Sequence, residues 1–414
     1  MNTVQKSTQT WVLVLTALAS FMVALDALVV ATALSTIRLD LGASVEQLEW
    51  TVNGYSLSFA VLLMTGAALG DRFGRRRMFV AGLGLFVAAS ALCALAQTMG
   101  WLIAARVIQG CGAALVMPLA VTQLSVAFPP EQRARALGIF SGVSGLAVLA
   151  GPVVGGAIAQ GLAWQWIFWL NIPIGLLVVP LVLRRIPESF GPRTALDIGG
   201  LLLVTGAALG GVWGLVRGNQ AGWSSLEVVV TLTAGVLLVV AFIAWERRAR
   251  APMLPLRFFR SRAFSAGNTA GFLFFASLYG STFFLAQFLQ TALGYGPLGA
   301  GLRLLPWTAM LFVSAPLAGV LVNRFGARTL LVGGLLLQAV AMAWIGLIAR
   351  PGLAYPELVV PLLIAGFGAA AIPVGQNAVV SAVAPNEIGK ASGVFNMLRQ
   401  LGATFGVAIL AAVF

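Results

Sequence analysis

The chain contains no histidine and only two cysteines in 414 residues. Histidine is the most common metal ligand and the usual proton shuttle near neutral pH, so its absence removes the ordinary ingredients of a metal centre. Cys93 and Cys111 both lie inside apolar runs, and this placement indicates neither a disulfide framework nor a metal site. We therefore expect no metal and no cofactor, and the sequence disfavours an enzyme.

Charge is also scarce, since only 9% of the residues are charged and 60% are hydrophobic. The mean hydropathy is +0.97. Soluble domains are about half apolar and about a quarter charged, so this composition excludes a soluble fold. The net charge of +13 does not point to nucleic acid, because the arginines fall in short gaps between apolar runs and are expected at the membrane surface.

Crossing a bilayer takes about 20 apolar residues, and the sequence offers thirteen such runs. We therefore predict an all-α membrane protein. The predicted helices cover residues 11–36, 47–69, 78–98, 101–126, 136–160, 164–183, 196–217, 226–245, 264–292, 299–322, 329–349, 358–383 and 390–414.

Two internal repeats predict that the chain is duplicated. The loop Gly66–Arg77 (GAALGDRFGRRR) returns in weaker form at Gly319–Leu330 (GVLVNRFGARTL), and the pattern Ala-x-Gly-x-Phe at 136–140 returns at 391–395. We expect a six-helix half at 1–190, an inserted helix pair with its linker at 191–262, and a second half at 263–414. This second half holds five of its six helices, so the last helix is absent or the chain is a shortened form.

The basic residues predict the orientation. With the N-terminus in the cytoplasm, 19 of the 25 basic residues fall in cytoplasmic segments, and only Arg38, Arg217 and Arg350 fall outside. Such a bias follows the positive-inside rule. We therefore expect a multi-pass protein of the cell (inner) membrane.

Asp26 lies well inside the first apolar run, about 22 Å from its start at Trp11 on a helix that rises 1.5 Å per residue. Hydrocarbon disfavours an ionised carboxylate, so a group placed here is suited to take up and release a proton. The alternative is a structural aspartate satisfied by a neighbouring helix. Arg106, within the fourth run, either reaches the membrane surface or turns inward towards an acid.

These residues sit in motifs that resemble the major facilitator superfamily, specifically its fourteen-span branch of drug:proton antiporters. The likeness covers the chain from the first helix to the last. The segments that carry it are Leu25–Leu34, the loop residues Asp71, Arg72, Gly74, Arg75 and Arg76, the run Arg106–Ala113, the run Gly151–Gly156, and Trp169–Gly175.

The resemblance implies a major facilitator fold and a role for each motif. Asp26 and Arg106 would couple transport to protons. A cytoplasmic loop would gate the halves, with Asp71 against a neighbouring helix N-terminus. A small-residue seam on the fifth helix would prevent proton leak, although ordinary close packing also explains it. The gating set is Asp71, Arg72, Gly74, Arg75, Arg76, Asn323 and Arg324, and the seam is Gly151, Pro152, Gly155 and Gly156.

Several polar and aromatic residues are candidates for a substrate cavity, unless they only bridge helices. They are Trp50, Asn53, Tyr55, Gln109, Asn268, Gln287 and Gln290.

The sequence therefore predicts a proton-coupled exporter of drugs or other lipophilic, cationic compounds that works by alternating access. Its expected partners are the lipid bilayer, protons and small amphiphilic substrates, with no nucleic acid, and we expect a monomer. The alternatives are an exporter of a metabolite or self-made antibiotic, a proton-independent uniporter, and a non-transporting sensor.

Overall fold

The computed structural model describes residues 3–191, 195–384 and 387–413, without the side chains at 3–6, 130, 134, 315 and 323. Within these ranges the chain is built from α-helices, and no strand is present. We call α1–α7 the first half and α10–α16 the second half.

The helices follow the predicted runs, with some of the runs divided in two. The first half consists of α1 (Thr3–Leu41), α2 (Val45–Phe73), α3 (Arg75–Ala94), α4 (Met99–Ala127), α5 (Pro130–Gly161), α6 (Trp166–Trp169) and α7 (Asn171–Arg185). Then come α8 (Ile198–Ala221), α9 (Leu226–Glu246) and a 3-10 turn at Leu256–Arg260. The second half consists of α10 (Arg262–Thr291), α11 (Pro297–Arg303), α12 (Leu305–Phe325), α13 (Ala327–Ile348), α14 (Pro356–Gly368), α15 (Ala371–Ser381) and α16 (Ile388–Val413).

The helices are long enough for a membrane protein. Among the described residues, twelve spans are long and apolar enough to cross a bilayer, and a thirteenth forms if the pair Pro297–Ser314 and Pro316–Val322, bent by 43°, is one span. A proline inside a helix removes a backbone hydrogen bond and favours such a bend. The predicted all-helical membrane fold is confirmed.

The repeated loop is also a repeated backbone turn. Gly74 separates α2 from α3 with φ of 107°, and Gly326 separates α12 from α13 with φ of 79°. Both angles lie in a region that glycine enters without steric cost. The two glycines occupy matching positions in the two copies of the loop, so both copies turn the chain in the same way.

Antiparallel helices place these loops at one end of the bundle. We call the end that carries Gly74 and Gly326 the arginine-rich end, and the other end the opposite end. The halves meet at the opposite end, where Ser35 donates to Gln290, and Gln290 donates to the carbonyl oxygen of Thr32 at 3.2 Å. The backbone N–H of Leu298 donates to Gln160 at 3.2 Å. These bonds join α1 to α10 and α5 to α11.

A second contact between the halves is made by α2 and α16. Leu57 and Val61 of α2 pack in one buried cluster with Val394 and Phe395 of α16. The inserted helix α8 packs against α2, α16 and its partner α9. The inserted pair therefore lies against the place where the two halves meet.

Candidate functional site

Asp26 is buried inside the first half, and four side chains around it form one polar network. Its side chain pairs with Arg106 of α4, and the two residues are 2% and 1% exposed. The other carboxylate oxygen accepts hydrogen bonds from the side-chain amides of Gln109 and Asn171, each at 2.9 Å. Every partner of this carboxylate is a donor, which suits the ionised form.

Arg106 is held on several sides at once. Its Nε donates to the carbonyl oxygen of Thr51 at 3.3 Å, and the same side chain donates to Gln109 at 2.6 Å. The guanidinium lies 4.2 Å from the ring centre of Tyr55 and 5.8 Å from that of Phe168. A cation over an aromatic face is stabilised by about 0.5–2 kcal/mol. The arginine therefore turns inward and does not reach the membrane surface.

Ser90 of α3 closes the network. Its hydroxyl accepts from Gln109 at 2.7 Å and from Asn171 at 3.2 Å, and it donates to the carbonyl oxygen of Phe86 at 2.9 Å. Side chains from α1, α3, α4 and α7, with the ring of Tyr55 from α2, thus meet around one ion pair. Removing one partner of a buried pair costs about 3–5 kcal/mol, because the other charge is left uncompensated.

The arrangement limits what Asp26 can do chemically. Donors occupy both oxygens of the carboxylate, so another group can bind Asp26 only if one of these donors moves away. No cluster of potential metal ligands is present among the described residues. The thiol of Cys93 also reaches this network, since it donates to the side-chain oxygen of Gln109 at 3.8 Å.

The seam on α5 packs against both halves. A Cβ placed on Gly151 would lie 2.7 Å from Leu28, and one on Gly155 would lie 2.3 Å from the carbonyl oxygen of Val29. On the neighbouring face, a Cβ on Gly156 would lie 2.4 Å from the carbonyl oxygen of Pro297 in α11. Small residues allow such close backbone contact.

Pro152 belongs to the same contact, because its carbonyl oxygen faces Gly301 of α11. The motif thus joins α5 to α1 within the first half and to α11 across the boundary between the halves. The structure does not test whether this seam blocks protons.

The loop residues make different contacts from those that we predicted. Asp71 pairs with Arg75 at 2.7 Å, one turn further along the chain, and does not lie at a helix N-terminus. Glu188 takes that position, since it accepts from the backbone N–H groups of Arg76 at 2.8 Å and Arg77 at 3.2 Å. The prediction for Asp71 is wrong in this conformation, because Arg75 lies within reach across the break at Gly74.

The remaining loop residues contact the first half or their own neighbours. Arg76 donates to the carbonyl oxygens of Leu183 and Ile186 at 3.3 and 3.2 Å. Arg72 and Arg324 each lie over the ring of the phenylalanine that follows them. Asn323 lies in α12, and its side chain is outside the part of the chain that the structure describes. The gating role of these residues stays a prediction.

The cavity candidates are dispersed. Gln109 and Tyr55 belong to the Asp26 network, and Gln290 joins α10 to α1. Trp50 packs against Trp213 of α8, with the ring centres 5.4 Å apart and the rings tilted by 50°. Gln287 is half-buried, and its amide nitrogen has no partner among the described residues.

Two buried asparagines also have unsatisfied atoms. Both polar atoms of the Asn53 side chain lack a partner within the described ranges, and so does the side-chain oxygen of Asn268. The amide nitrogen of Asn268 donates to the carbonyl oxygen of Phe264 in its own helix at 2.9 Å. Unsatisfied buried amides call for a water or a ligand group.

Sequence reasoning missed Glu49, a second buried acid in the first half. It is 4% exposed, and no residue that the structure describes makes an ion pair or a hydrogen bond with its side chain. It also missed Asn171 and Ser90 as partners of Asp26. Glu49 had a signal in the sequence, as a charge at the third residue of the predicted membrane helix 47–69. Asn171 and Ser90 had none, because their role depends on how α3 and α7 pack.

Comparison with known proteins identifies the family to which this fold and these motifs belong. The model of the Major Facilitator Superfamily matches residues 16–407. The chain is 39% identical to a tetracenomycin C resistance and export protein of Streptomyces glaucescens, over 94% of this chain and 73% of that protein. It is 35% identical to the multidrug resistance protein Stp of Mycobacterium tuberculosis, over 98% and 76%. It is 36% identical to a cephamycin export protein of Amycolatopsis lactamdurans, over 100% and 86%.

Solved structures agree in fold. A POT family transporter in complex with 5-aminolevulinic acid superimposes with a TM-score of 0.74 at 16% identity, over 96% of this chain and 89% of that one. A bacterial homologue of the human lysosomal transporter Spinster gives a TM-score of 0.66 at 18% identity, over 98% and 82%. The family model, the relatives and the shared fold together show that this chain belongs to the Major Facilitator Superfamily.

Proposed function

We propose that the chain is a proton-coupled exporter of amphiphilic small molecules, with its N-terminus on the cytoplasmic side of the cell membrane. It is a transporter and not an enzyme. Relatives named for antibiotic export and multidrug resistance support the export direction and an antibiotic-like substrate. The excess of basic residues at the arginine-rich end supports the orientation. Membership of the fourteen-span branch of drug:proton antiporters remains a prediction.

The observation that carries the proposal is the buried pair of Asp26 and Arg106. An ionisable group inside the membrane is costly, and such groups mark ion and proton routes. Binding of one proton to Asp26 removes the charge that holds Arg106. The pair is therefore a switch that a proton can release.

The close packing around the pair links this switch to movement of the halves. Asp26 lies on α1, and α1 contacts α5 along the glycine seam and α10 through Gln290. A change between α1 and α4 therefore reaches both contacts at the opposite end. We propose that protons enter there and leave at the arginine-rich end, driven by about 2.3 kcal/mol per charge per 100 mV of membrane potential.

A proton-independent uniporter is the second candidate, and one observation favours it. Asp26 is satisfied on both oxygens by Arg106, Gln109 and Asn171. If the pair never opens, the carboxylate only holds α1, α4 and α7 together. Transport would then proceed without a proton gradient.

The preference for cations also needs another basis. A cationic substrate would pair with the carboxylate of Asp26, and in this structure Arg106 occupies that carboxylate. Asp26 therefore does not select a cationic substrate in this conformation.

The test is efflux of a fluorescent amphiphile from sealed vesicles, with and without a pH gradient, in wild type and Asp26→Asn. Asp40→Asn is the matched control, because Asp40 is an exposed acid at the end of the same helix, where it accepts a hydrogen bond from Trp164 at 2.7 Å. Equilibrium exchange of the amphiphile across the membrane reports substrate movement without net proton flux.

We expect Asp26→Asn to lose gradient-driven efflux by at least about tenfold and to keep exchange. Asp40→Asn should keep both. Equal efflux with and without the gradient in wild type would establish the uniporter. Loss of exchange together with efflux in Asp26→Asn, in protein that is still folded at the assay temperature, would show that Asp26 serves substrate movement itself and not coupling.

A further inference from the structure

Arg399 is a half-buried cation without a counter-ion among the described residues, located midway along α16. It lies eleven residues from the start of α16, which corresponds to about 17 Å of a hydrocarbon layer about 30 Å thick. Its Nε is buried without a partner, and the side chain makes no hydrogen bond to any residue that the structure describes. All twelve acidic side chains of the chain lie within the described ranges, and none of their ion pairs involves Arg399.

Aromatic rings, not acids, surround this guanidinium. Its central carbon lies 4.9 Å from the ring centre of Phe275. The ring centres of Phe275 and Tyr279 are 6.2 Å apart. Tyr279 packs against buried clusters of both halves. The arginine and its rings are therefore close to the boundary between the halves.

Arg399 belongs to a polar stripe on α16. Ser392, Asn396 and Arg399 are spaced by four and three residues, so they lie on one face of the helix, and each is half-buried. Polar residues on a membrane helix face the protein interior or a water-filled space, not lipid.

The neighbours of this stripe show where it faces. On one side of it, Phe395 lies within 2.7 Å of a Cβ placed on Gly271 of α10. On the other side, a Cβ placed on Gly393 would lie 2.5 Å from the sulfur of Met64 in α2. At 100° per residue, the stripe points between these two helices. Since α2 belongs to the first half and α10 to the second, the stripe faces the space between the halves, where carriers of this type bind substrate.

The charges at the centre do not cancel. Asp26 and Arg106 neutralise each other, and the positive charge of Arg399 remains. A charge without a partner in the membrane-spanning part of a helix is costly, so a group from outside the chain has to compensate it. Planar guanidinium groups bind carboxylates with two parallel hydrogen bonds.

We propose that Arg399 anchors an anion-binding subsite, and that the exported amphiphiles carry a carboxylate or a similar negative group, with their aromatic part against Phe275 and Tyr279. The inference rests on the proposed export function and names its substrate class. It differs from the cationic class that the sequence alone favoured.

The test uses the full chain in nanodiscs of phosphatidylcholine, which carries no net charge. Three probes share a pyrene and differ only in the end group: pyrenebutyrate, the uncharged pyrenebutyramide, and pyrenebutyl-trimethylammonium. Binding is followed by fluorescence anisotropy in wild type, Arg399→Gln and Arg399→Lys. Arg303→Gln is the matched control, since the Arg303 guanidinium lies 3.5 Å from the ring centre of Tyr295 and donates to the carbonyl oxygen of Gly299, so that, unlike Arg399, it has a hydrogen-bond acceptor within the chain.

We expect wild type to bind the butyrate about tenfold or more tightly than the butyramide, and the trimethylammonium probe most weakly. Arg399→Gln should remove the preference and leave butyramide binding unchanged, Arg399→Lys should keep part of it, and Arg303→Gln should keep it in full. An equal preference in wild type and Arg399→Gln would overturn the inference. Displacement of the butyrate by phosphatidylglycerol, in wild type but not in Arg399→Gln, would overturn the assignment to substrate, because the subsite would then hold a lipid headgroup.

Failure of this inference can be distinguished from failure of the proposed function. Export of the butyramide probe from vesicles requires no anion subsite. If wild type exports the butyramide and binds the butyrate no more tightly, the export proposal is supported and the anion subsite is contradicted. If no probe is exported but the butyrate still binds in a way that depends on Arg399, the anion subsite is supported and the export proposal is contradicted. A lower unfolding temperature in Arg399→Gln would also count against the subsite, because it would mean that the chain itself compensates the charge.

Discussion

Gly301 and Pro152 touch backbone to backbone across the boundary between the two halves. A Cβ placed on Gly301 would lie 2.1 Å from the Pro152 carbonyl oxygen and 2.7 Å from its carbonyl carbon. No alanine fits at such a distance without a shift of one of the helices, since the obstacle is backbone and not a flexible side chain. The contact, together with the bond from Leu298 to Gln160, holds the opposite end of the bundle closed.

Gly301→Ala should therefore weaken closure at the opposite end. Overpacking of a tight contact costs about 1–3 kcal/mol. In a background without Cys93 and Cys111, a cysteine introduced by Ser35→Cys should react with a water-soluble maleimide at least about fivefold faster when Gly301→Ala is added.

Gly299→Ala is the control for this substitution. Its Cβ would meet only side-chain atoms of Arg303 and Tyr295, at 3.4 and 3.5 Å. These are ordinary contacts, and labelling should stay at the wild-type rate. Equal labelling with Gly301→Ala would show that this contact does not limit opening.

Gly155→Ala tests whether the seam between α5 and α1 blocks protons. Its Cβ would lie 2.3 Å from the carbonyl oxygen of Val29, three residues from Asp26. We expect proton leak into sealed vesicles to rise a few-fold, measured with an internal pH dye after a pH jump, because the helices beside Asp26 would be forced apart.

Gly142→Ala on the same helix is the matched control, since no atom lies within 4 Å of its added Cβ. A lower unfolding temperature in Gly155→Ala without any added leak would support the simpler interpretation, in which the glycines serve close packing alone.

The sequence predicted those features of the fold that depend on the local pattern of residues. The lengths of the apolar runs predicted the membrane-spanning helices. The repeated loop predicted a duplicated chain, and in the structure the two copies of the loop make similar turns at Gly74 and Gly326. The residue to which a side chain binds depends on packing between helices, and one sequence does not contain that information. Asp71 and Glu188 illustrate the difference, because both are acids near the same loop and only the folded chain shows which one meets the N-terminus of α3.

Arg399 illustrates the same limit for the site. Its position inside an apolar run was visible in the sequence, as was that of Arg106. The sequence does not show that Asp26 compensates Arg106 and that no acid compensates Arg399. This difference arises from the directions in which α1, α4 and α16 present their side chains. Because Arg399 has no acidic partner among the described residues, the expected substrate is an anion and not the cation that the sequence alone favoured.

Glu188→Ala and Asp71→Ala should differ in their effect on stability. Glu188 binds two backbone N–H groups at the start of α3, where loss of a capping side chain costs about 0.5–2 kcal/mol. Asp71 makes an ion pair with Arg75 in which the two side chains are 28% and 12% exposed, and pairs that still reach solvent contribute about 0.2–1 kcal/mol. Thermal unfolding in detergent should therefore show the larger drop for Glu188→Ala. A larger drop for Asp71→Ala would mean that its bond with Arg75 fixes the loop.

The last prediction contrasts the two buried acids of the first half. Asp26 accepts hydrogen bonds from Arg106, Gln109 and Asn171, whereas Glu49 accepts none from the residues that the structure describes. Neutralising Asp26 leaves Arg106 as an unpaired buried charge, so Asp26→Asn should lower the unfolding temperature, in keeping with a loss of about 3–5 kcal/mol. Glu49→Gln replaces a buried carboxyl group that has no partner in the described parts of the chain with an amide of nearly the same size, so it should leave the unfolding temperature unchanged or raise it. Both variants are nearly isosteric with the native side chains, so each serves as the control for the other. Loss of stability in Glu49→Gln comparable to that in Asp26→Asn would show that the Glu49 carboxylate is held by a partner such as an ordered water.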